Sequence, residues 1–235
     1  MKYIRKAADR GTVNFGWLHS QHSFSFGHYY DPKHMGVSVL RVINDDIVQP
    51  GRGFDTHGHR DMEIISYVIS GALEHKDSSG NIYTVPAGEV QRMSAGRGVM
   101  HSEYNASDKE AVNFLQIWIQ PNVFGTQPGY QQKRIDQDGR LTPLVTPNGK
   151  DGSLTMQQDA SLSRLRLDDG ESFTLKVSDH TPNRVGYLHL VRGTVSANGE
   201  QFSAGDAFMT EAGDNLDVIG QGDEVEALWF DLPAI

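Results

Sequence analysis

The segment Ile65-Ser66-Tyr67-Val68-Ile69-Ser70-Gly71 has a counterpart later in the chain, Tyr187-Leu188-His189-Leu190-Val191-Arg192-Gly193. Each is a β-rich run closed by glycine, and each leads into the same succession of signals. Residues 71–80 read as a hairpin, and so does Gly193-Thr194-Val195-Ser196-Ala197-Asn198-Gly199. Val85-Pro86-Ala87-Gly88-Glu89 then matches Ser203-Ala204-Gly205-Asp206-Ala207 as the turn into a further strand. A repeat this long describes two similar β-barrels in tandem rather than a solenoid.

Strand signals dominate the rest of the chain. Residues 37–43 form an apolar, β-branched run that Asn44-Asp45-Asp46 closes as a turn. Further strands are expected at 62–69, 73–77, 82–85 and 112–119, the last ended by Pro121. Helical periodicity is confined to residues 107–110 and 160–165. The expected architecture is all-β, with residues 1–120 as the first barrel and 151–235 as the second. Residues 121–150 form a connector in which Pro121, Pro128, Pro143 and Pro147 alternate with glycines. Tyr130, Ile135, Leu141, Leu144 and Val145 anchor that connector across both halves.

The residues with the strongest chemistry lie in the first repeat only. His57-Gly58-His59 and His101-Ser102-Glu103 are two ligand pairs with i, i+2 spacing. On a β-strand that spacing puts both side chains of a pair on one face. Two such strands side by side aim three imidazoles and a carboxylate at one point. That set suits a divalent transition metal and leaves positions open on a six-coordinate ion. Iron is the expected metal, with nickel, manganese, copper, cobalt and zinc as alternatives. The second repeat lacks both pairs, and its His180 and His189 stand alone, so it is expected to be metal-free.

Composition narrows the function further. With no cysteine, only histidine and carboxylate can hold a metal and no disulfide can form. A formal net charge of −9 without a Lys/Arg-rich run argues against nucleic-acid binding. No apolar run approaches a membrane span, and Met1 to Lys6 has no apolar stretch behind it to make a leader. A cytoplasmic monomer is the expected state.

Gly51, His57, His59 and Glu63, then Pro86-Ala87-Gly88 with His101 and Asn105, follow the two halves of the cupin signature in order. Over residues 1–120 the likeness is denser. It is carried by His22-Ser23-Phe24-Ser25-Phe26, Tyr30-Asp31-Pro32, Leu40 to Asp46, Gly53 to Glu63, Ala87 to Gly96 and Gly98 to Asn105. The chain resembles the pirin family of bicupins, most of all its bacterial members described as quercetin 2,3-dioxygenases. That resemblance implies two cupin barrels of double-stranded β-helix, or jelly-roll, form. The N-terminal barrel would bind metal through His57, His59, His101 and Glu103, and the C-terminal one would be degenerate.

The carboxylate has a competitor. Ordinary cupins place theirs at the position of Glu63. If the strand runs straight on from His57, Asp61 and Glu63 share its face, but Glu63 lies ~20 Å along it. Glu103 needs no bend to stand beside His101, which favours it. Glu63 is left as an acceptor that orients an imidazole.

The resemblance implies a dioxygenase that opens a flavonol such as quercetin with O2 and releases carbon monoxide, an activity in flavonoid metabolism. The substrate would be a small aromatic molecule. Glu103, the only anionic ligand, is the candidate catalytic base on the flavonol hydroxyl. The aromatic segment from Phe15 to Phe26 is expected to pack as an extra strand on one face and to wall a pocket with the other. The alternative reading is a non-enzymatic, metal-bound regulator that acts through a protein partner.

Overall fold

The structure, a computed structural model, describes residues 1–234 and, at residue 223, the backbone alone. No α-helix occurs among the described residues. Two single-turn 3₁₀ segments, Ala7–Asp9 and Lys150–Gly152, interrupt twenty strands. The strands form three sheets.

The first barrel closes a seven-stranded sheet over a four-stranded one. The larger sheet runs Gly129–Arg134, Glu89–Ser94, Glu63–Ser70, Val112–Ile119, Leu40–Val48, Leu18–His22 and Gly11–Asn14, and the smaller runs Gly53–His59, Val99–Asn105, Ala72–Asp77 and Ile82–Pro86. Leu18, Val48, Val68, Val112 and Phe114 from the larger sheet pack with Leu73 and Val85 from the smaller. Strand alternation gives the larger sheet a second apolar face. Ile43, Ile65, Tyr67, Leu115, Ile117 and Ile119 pack against Leu144, Leu162, Tyr187, Leu228 and Phe230 of the second barrel. The strand Val112–Ile119 is therefore buried on both sides, which explains its nearly unbroken apolar sequence.

The second barrel is built from a nine-stranded sheet. Its interior holds Leu165, Leu188, Leu190, Phe202, Phe208, Ala227 and Trp229. The repeat seen in the sequence is present in the backbone. Gly71 and Gly193 both have positive φ, 75° and 74°. A Cβ on Gly71 would stand 3.1 Å from Val112 Cα, and one on Gly193 3.0 Å from Val225 Cα. Only glycine suits both the conformation and the close approach.

The two barrels share strands. Tyr3–Arg5 pairs with Ala207–Glu211 in the second sheet system, while Gly11–Asn14 pairs with Leu18–His22 in the first. Within residues 121–150, Gly129–Arg134 pairs with Glu89–Ser94 and Leu141–Thr146 with Ser161–Leu167. The chain so crosses between barrels at its start and in its middle.

Three local expectations are corrected. The helical reading of residues 160–165 gives way to the strand Ser161–Leu167, whose Leu162 and Leu165 serve separate cores. No helix forms over residues 107–110, of which 108–110 are bends. Asn44-Asp45-Asp46 is not a turn: the strand continues unbroken over Leu40–Val48. Asn44 and Asp46 are buried and lie on its inward face, where the first barrel has a polar site to line.

Candidate metal centre

The two ligand pairs meet because their strands are neighbours. Gly53–His59 runs antiparallel to Val99–Asn105, with His57 opposite His101 and His59 opposite Val99. The register shifts between His101 and Glu103, so that Glu103 faces Phe54. Such an irregularity re-aims a side chain at a site.

The Nε2 atoms of His57 and His59 stand 3.0 and 2.9 Å from Nε2 of His101. His57 Nδ1–H donates to the Asp55 carbonyl at 2.7 Å, which fixes the tautomer and turns the Nε2 lone pair inward. Burial, with the neighbouring imidazoles adding to it, pushes His101 down to about 3 and His59 down to about 4. Both are neutral at physiological pH. One shared proton can bridge only one pair of nitrogens, so three converging lone pairs suit a cation. Two nitrogens held about 2.1 Å from one ion lie about 3.0 Å apart at a right angle and about 3.4 Å apart at the tetrahedral angle. The two observed spacings are short enough for His57, His59 and His101 to share one ion.

Glu103 is set one step deeper. Its ligand atom groups with those of His101 and His75, within 4.8 Å of one another. Oε2 accepts from Gln116 Nε2 at 2.6 Å and Oε1 from Ser66 Oγ at 3.2 Å. Burial pushes its carboxyl up from the usual range, a penalty that a bound cation would reverse. His75 is fully buried, yet both its nitrogens are engaged. Nε2 meets Asp77 Oδ2 at 2.8 Å and Nδ1 meets Gln91 Nε2 at 2.9 Å. It reads as a support beneath His101 rather than a ligand.

Glu63 lies elsewhere. The strand does not run through from His57. It stops at His59, Asp61 takes a positive φ of 47°, and a new strand begins at Glu63 in the other sheet. Glu63 Oε2 accepts from Ser94 Oγ at 2.8 Å, and no imidazole is among its hydrogen-bond partners. The expectation that Glu63 orients a ligand histidine is overturned. The Asp55 carbonyl does that work for His57.

A row of polar side chains that the sequence reading missed underlies the centre. His22, Asn44, Gln116, Ser66 and Gln91 are successive cross-strand partners over five strands. All five are buried, as are Ser20 and Asp46 beside them on the same face. Their signal was available: polar residues at alternate positions of strands such as Phe114 to Trp118 have no other place to point. Above the row, Phe26, Phe54 and Trp118 join His57, His59, Glu103, Asn44, Asp46 and Gln116 around a cavity of about 60 Å3. Trp118 stacks edgewise on His59 and on Phe26. The segment before the barrel thus does both things expected of it: Leu18–His22 adds a strand and Phe26 walls the pocket. Burial raises the Asp46 carboxyl to about 7, with the Ser20 hydroxyl opposing it and Asp45 and Glu103 pushing the same way as burial.

Fold and site together define a bicupin whose N-terminal barrel carries a candidate metal centre. The family profile described as pirin matches residues 4–119, and that of the quercetinase C-terminal cupin domain matches residues 143–232. A protein of Escherichia coli K12 named quercetin 2,3-dioxygenase is 44% identical over 235 residues, covering 100% of both chains. A pirin-like protein of Caulobacter vibrioides is 41% identical, covering 86% of this chain and 88% of its own. The crystal structure of the bacterial pirin YhhW from E. coli in complex with nickel(II) superposes with a TM-score of 0.93 at 44% identity, covering 99% of each chain. The chain belongs to the pirin family.

Proposed function

We propose that this chain holds one divalent first-row transition metal through His57, His59, His101 and Glu103, and acts as an oxygen-dependent dioxygenase on a flavonol such as quercetin. The observation that carries the reading is the convergence of the His57 and His59 Nε2 atoms on Nε2 of His101, at 3.0 and 2.9 Å, beside a cavity lined by aromatic rings. Iron is the ion expected from the sequence, and nickel is the one in the YhhW complex. The name carried by the E. coli relative supports the substrate class.

When bound, the metal would supply Lewis acidity toward the substrate's oxygens and a path for electrons between substrate and O2. The protein's own groups do the rest. Asp55 fixes His57, while Gln116 and Ser66 hold both oxygens of Glu103. A carboxylate so fully engaged suits a fixed anionic ligand better than a mobile base. Phe26, Phe54 and Trp118 offer apolar faces to a planar ring and exclude water. A cavity of about 60 Å3 has room for about two waters. Only the hydroxy-ketone edge of a flavonol would therefore enter, with the remaining rings against the aromatic mouth. The same small volume favours the second reading, a metal-bound regulator that acts through a protein partner.

One experiment separates the two. Metal-loaded protein should consume O2 in step with the loss of quercetin absorbance, a chelator should stop it, and a re-added divalent ion should restore it. Flavonols autoxidise and bind free metals, so the control is the His57→Ala, His59→Ala double variant at equal total metal. If that variant matches the wild type, the chemistry belongs to metal in solution and the regulator reading replaces the enzyme.

A further inference from the structure

One wall of the metal cavity is left unused by the proposed ligands. Asp46 is 3% exposed and lines the cavity with His57, His59 and Glu103. Its Oδ1 has no hydrogen-bond partner. Its cross-strand neighbours are Ser20 on one side and Phe114 on the other, and no Lys or Arg pairs with it among the described residues. Asn44, two residues away on the same face, also has an unpartnered oxygen. Gln116 and Ser66 are engaged with Glu103, and Gln91 Nε2 with His75, while Ser20 Oγ, His22 Nδ1 and Gln91 Oε1 on the same wall are unpartnered as well. A buried carboxyl with no cation beside it is costly, so the one that lines the cavity marks a place for a donor that arrives with the ligand.

We propose that Asp46 is a catalytic residue of this pocket, receiving the hydroxyl proton of an α-hydroxy-ketone or enediol ligand as that ligand's oxygens meet the metal. The inference rests on the metal reading above, and it supplies the base that the fully engaged Glu103 does not. The step balances within the pocket. The ligand O–H bond breaks and its electron pair stays on oxygen. The proton bonds to the Asp46 carboxylate, and the new carboxyl group can donate back to the enolate. A carboxyl that burial holds near neutrality takes and returns a proton at physiological pH.

The test is the proton count on ligand binding, read without turnover. Wild-type and Asp46→Asn proteins, each metal-loaded and with metal content measured, are titrated anaerobically near pH 7.5 in weak buffer with an indicator dye. Two probes are used: quercetin and 3-hydroxy-4-pyranone, which carries the same edge on a single ring. The wild type should bind with well under one proton released. Asp46→Asn should hold the same metal, bind about tenfold or more weakly and release about one proton to solvent. Equal affinity and equal proton release in the two proteins, for probes that both bind, would overturn the role of Asp46 and leave the dioxygenase reading standing. If the pyranone shows the Asp46 effect and quercetin does not bind, the flavonol reading falls and Asp46 stands. If neither probe binds metal-loaded wild type, both fall.

Discussion

The two barrels have one backbone plan and opposite interiors. In the first, the row His22, Asn44, Gln116, Ser66, Gln91 crosses five strands. Aligning the barrels on Gly71 and Gly193 puts Leu188 where Ser66 stands. The registers then place Trp229 where Gln116 stands, Phe208 where Gln91 stands, Ser163 for Asn44 and Pro143 for His22. Glutamine, serine and glutamine have been exchanged for tryptophan, leucine and phenylalanine, all within one apolar core. Loss of the two ligand pairs alone would leave a polar cavity behind. Here the supporting row is apolar as well, and Trp229 packs over Gly186, where a Cβ would collide with the indole. The comparison teaches that the candidate ligand pairs on one sheet and the buried polar row on the facing sheet occur together in one barrel and are replaced together in the other.

The largest effect should come from the ligands. His101→Ala should lose bound metal almost entirely by elemental analysis, because Nε2 of His101 is the atom to which both other imidazoles converge. His189→Ala, a buried histidine of the second barrel, should leave metal content unchanged. Full metal content in His101→Ala, or loss in His189→Ala, would place the site wrongly.

Next come the two equivalent positions of the rows. Trp229→Ala should cost about 3–5 kcal/mol in chemical denaturation and leave metal affinity intact in the folded protein. Gln116→Ala removes a smaller side chain from a polar cavity and should cost only about 1 kcal/mol of stability. It should weaken metal affinity about 10- to 100-fold, as loss of a group that holds a ligand typically does. If both variants lose stability equally and neither changes metal affinity, the polar row supports nothing.

Much of this was legible in the sequence, for reasons of period. Two-residue spacing reports a shared strand face wherever the strand lies, so His57, His59 and His101 could be grouped without knowing the register, while Glu103, placed with them by the same reasoning, sits in a neighbouring group with His101 and His75. The glycines at 71 and 193 mark one backbone conformation. The misreadings have a common origin, since they concern residues whose partners come from distant strands. Asn44 and Asp46 have turn composition, and only the neighbouring Gln116 and the ligands across the barrel make a buried polar strand tolerable there. Glu63 was placed by counting along a strand that in fact breaks at Asp61. Nothing local in Tyr3–Arg5 announces that it pairs with Ala207–Glu211, some two hundred residues away.

The third effect concerns Asp46, and it has a definite sign. The carboxyl lies at about 7 in the folded chain against an ordinary value of 3.8. The folded state therefore binds this proton more tightly than the unfolded state. Its contribution is at its best below the ordinary value and is lost as pH rises through about 7, after which it stays constant. Asp46→Asn has no such slope. In the metal-free protein, the stability of the variant relative to wild type should grow by roughly 2.5 kcal/mol between about pH 5 and about pH 8. His59 and His101, which titrate in both proteins, cancel in that difference. The measurement is chemical denaturation of both proteins at the two pH values. A relative stability that does not change with pH would mean that Asp46 is solvated or paired in the folded chain, and the contrast between a costly polar interior and an inexpensive apolar one would lose its sharpest instance. A gain of the expected sign, set beside weaker ligand binding by the same variant, would show a buried carboxyl kept against stability in the barrel that has a ligand to meet, at a wall whose counterpart in the other barrel is packed with Trp229 and Phe208.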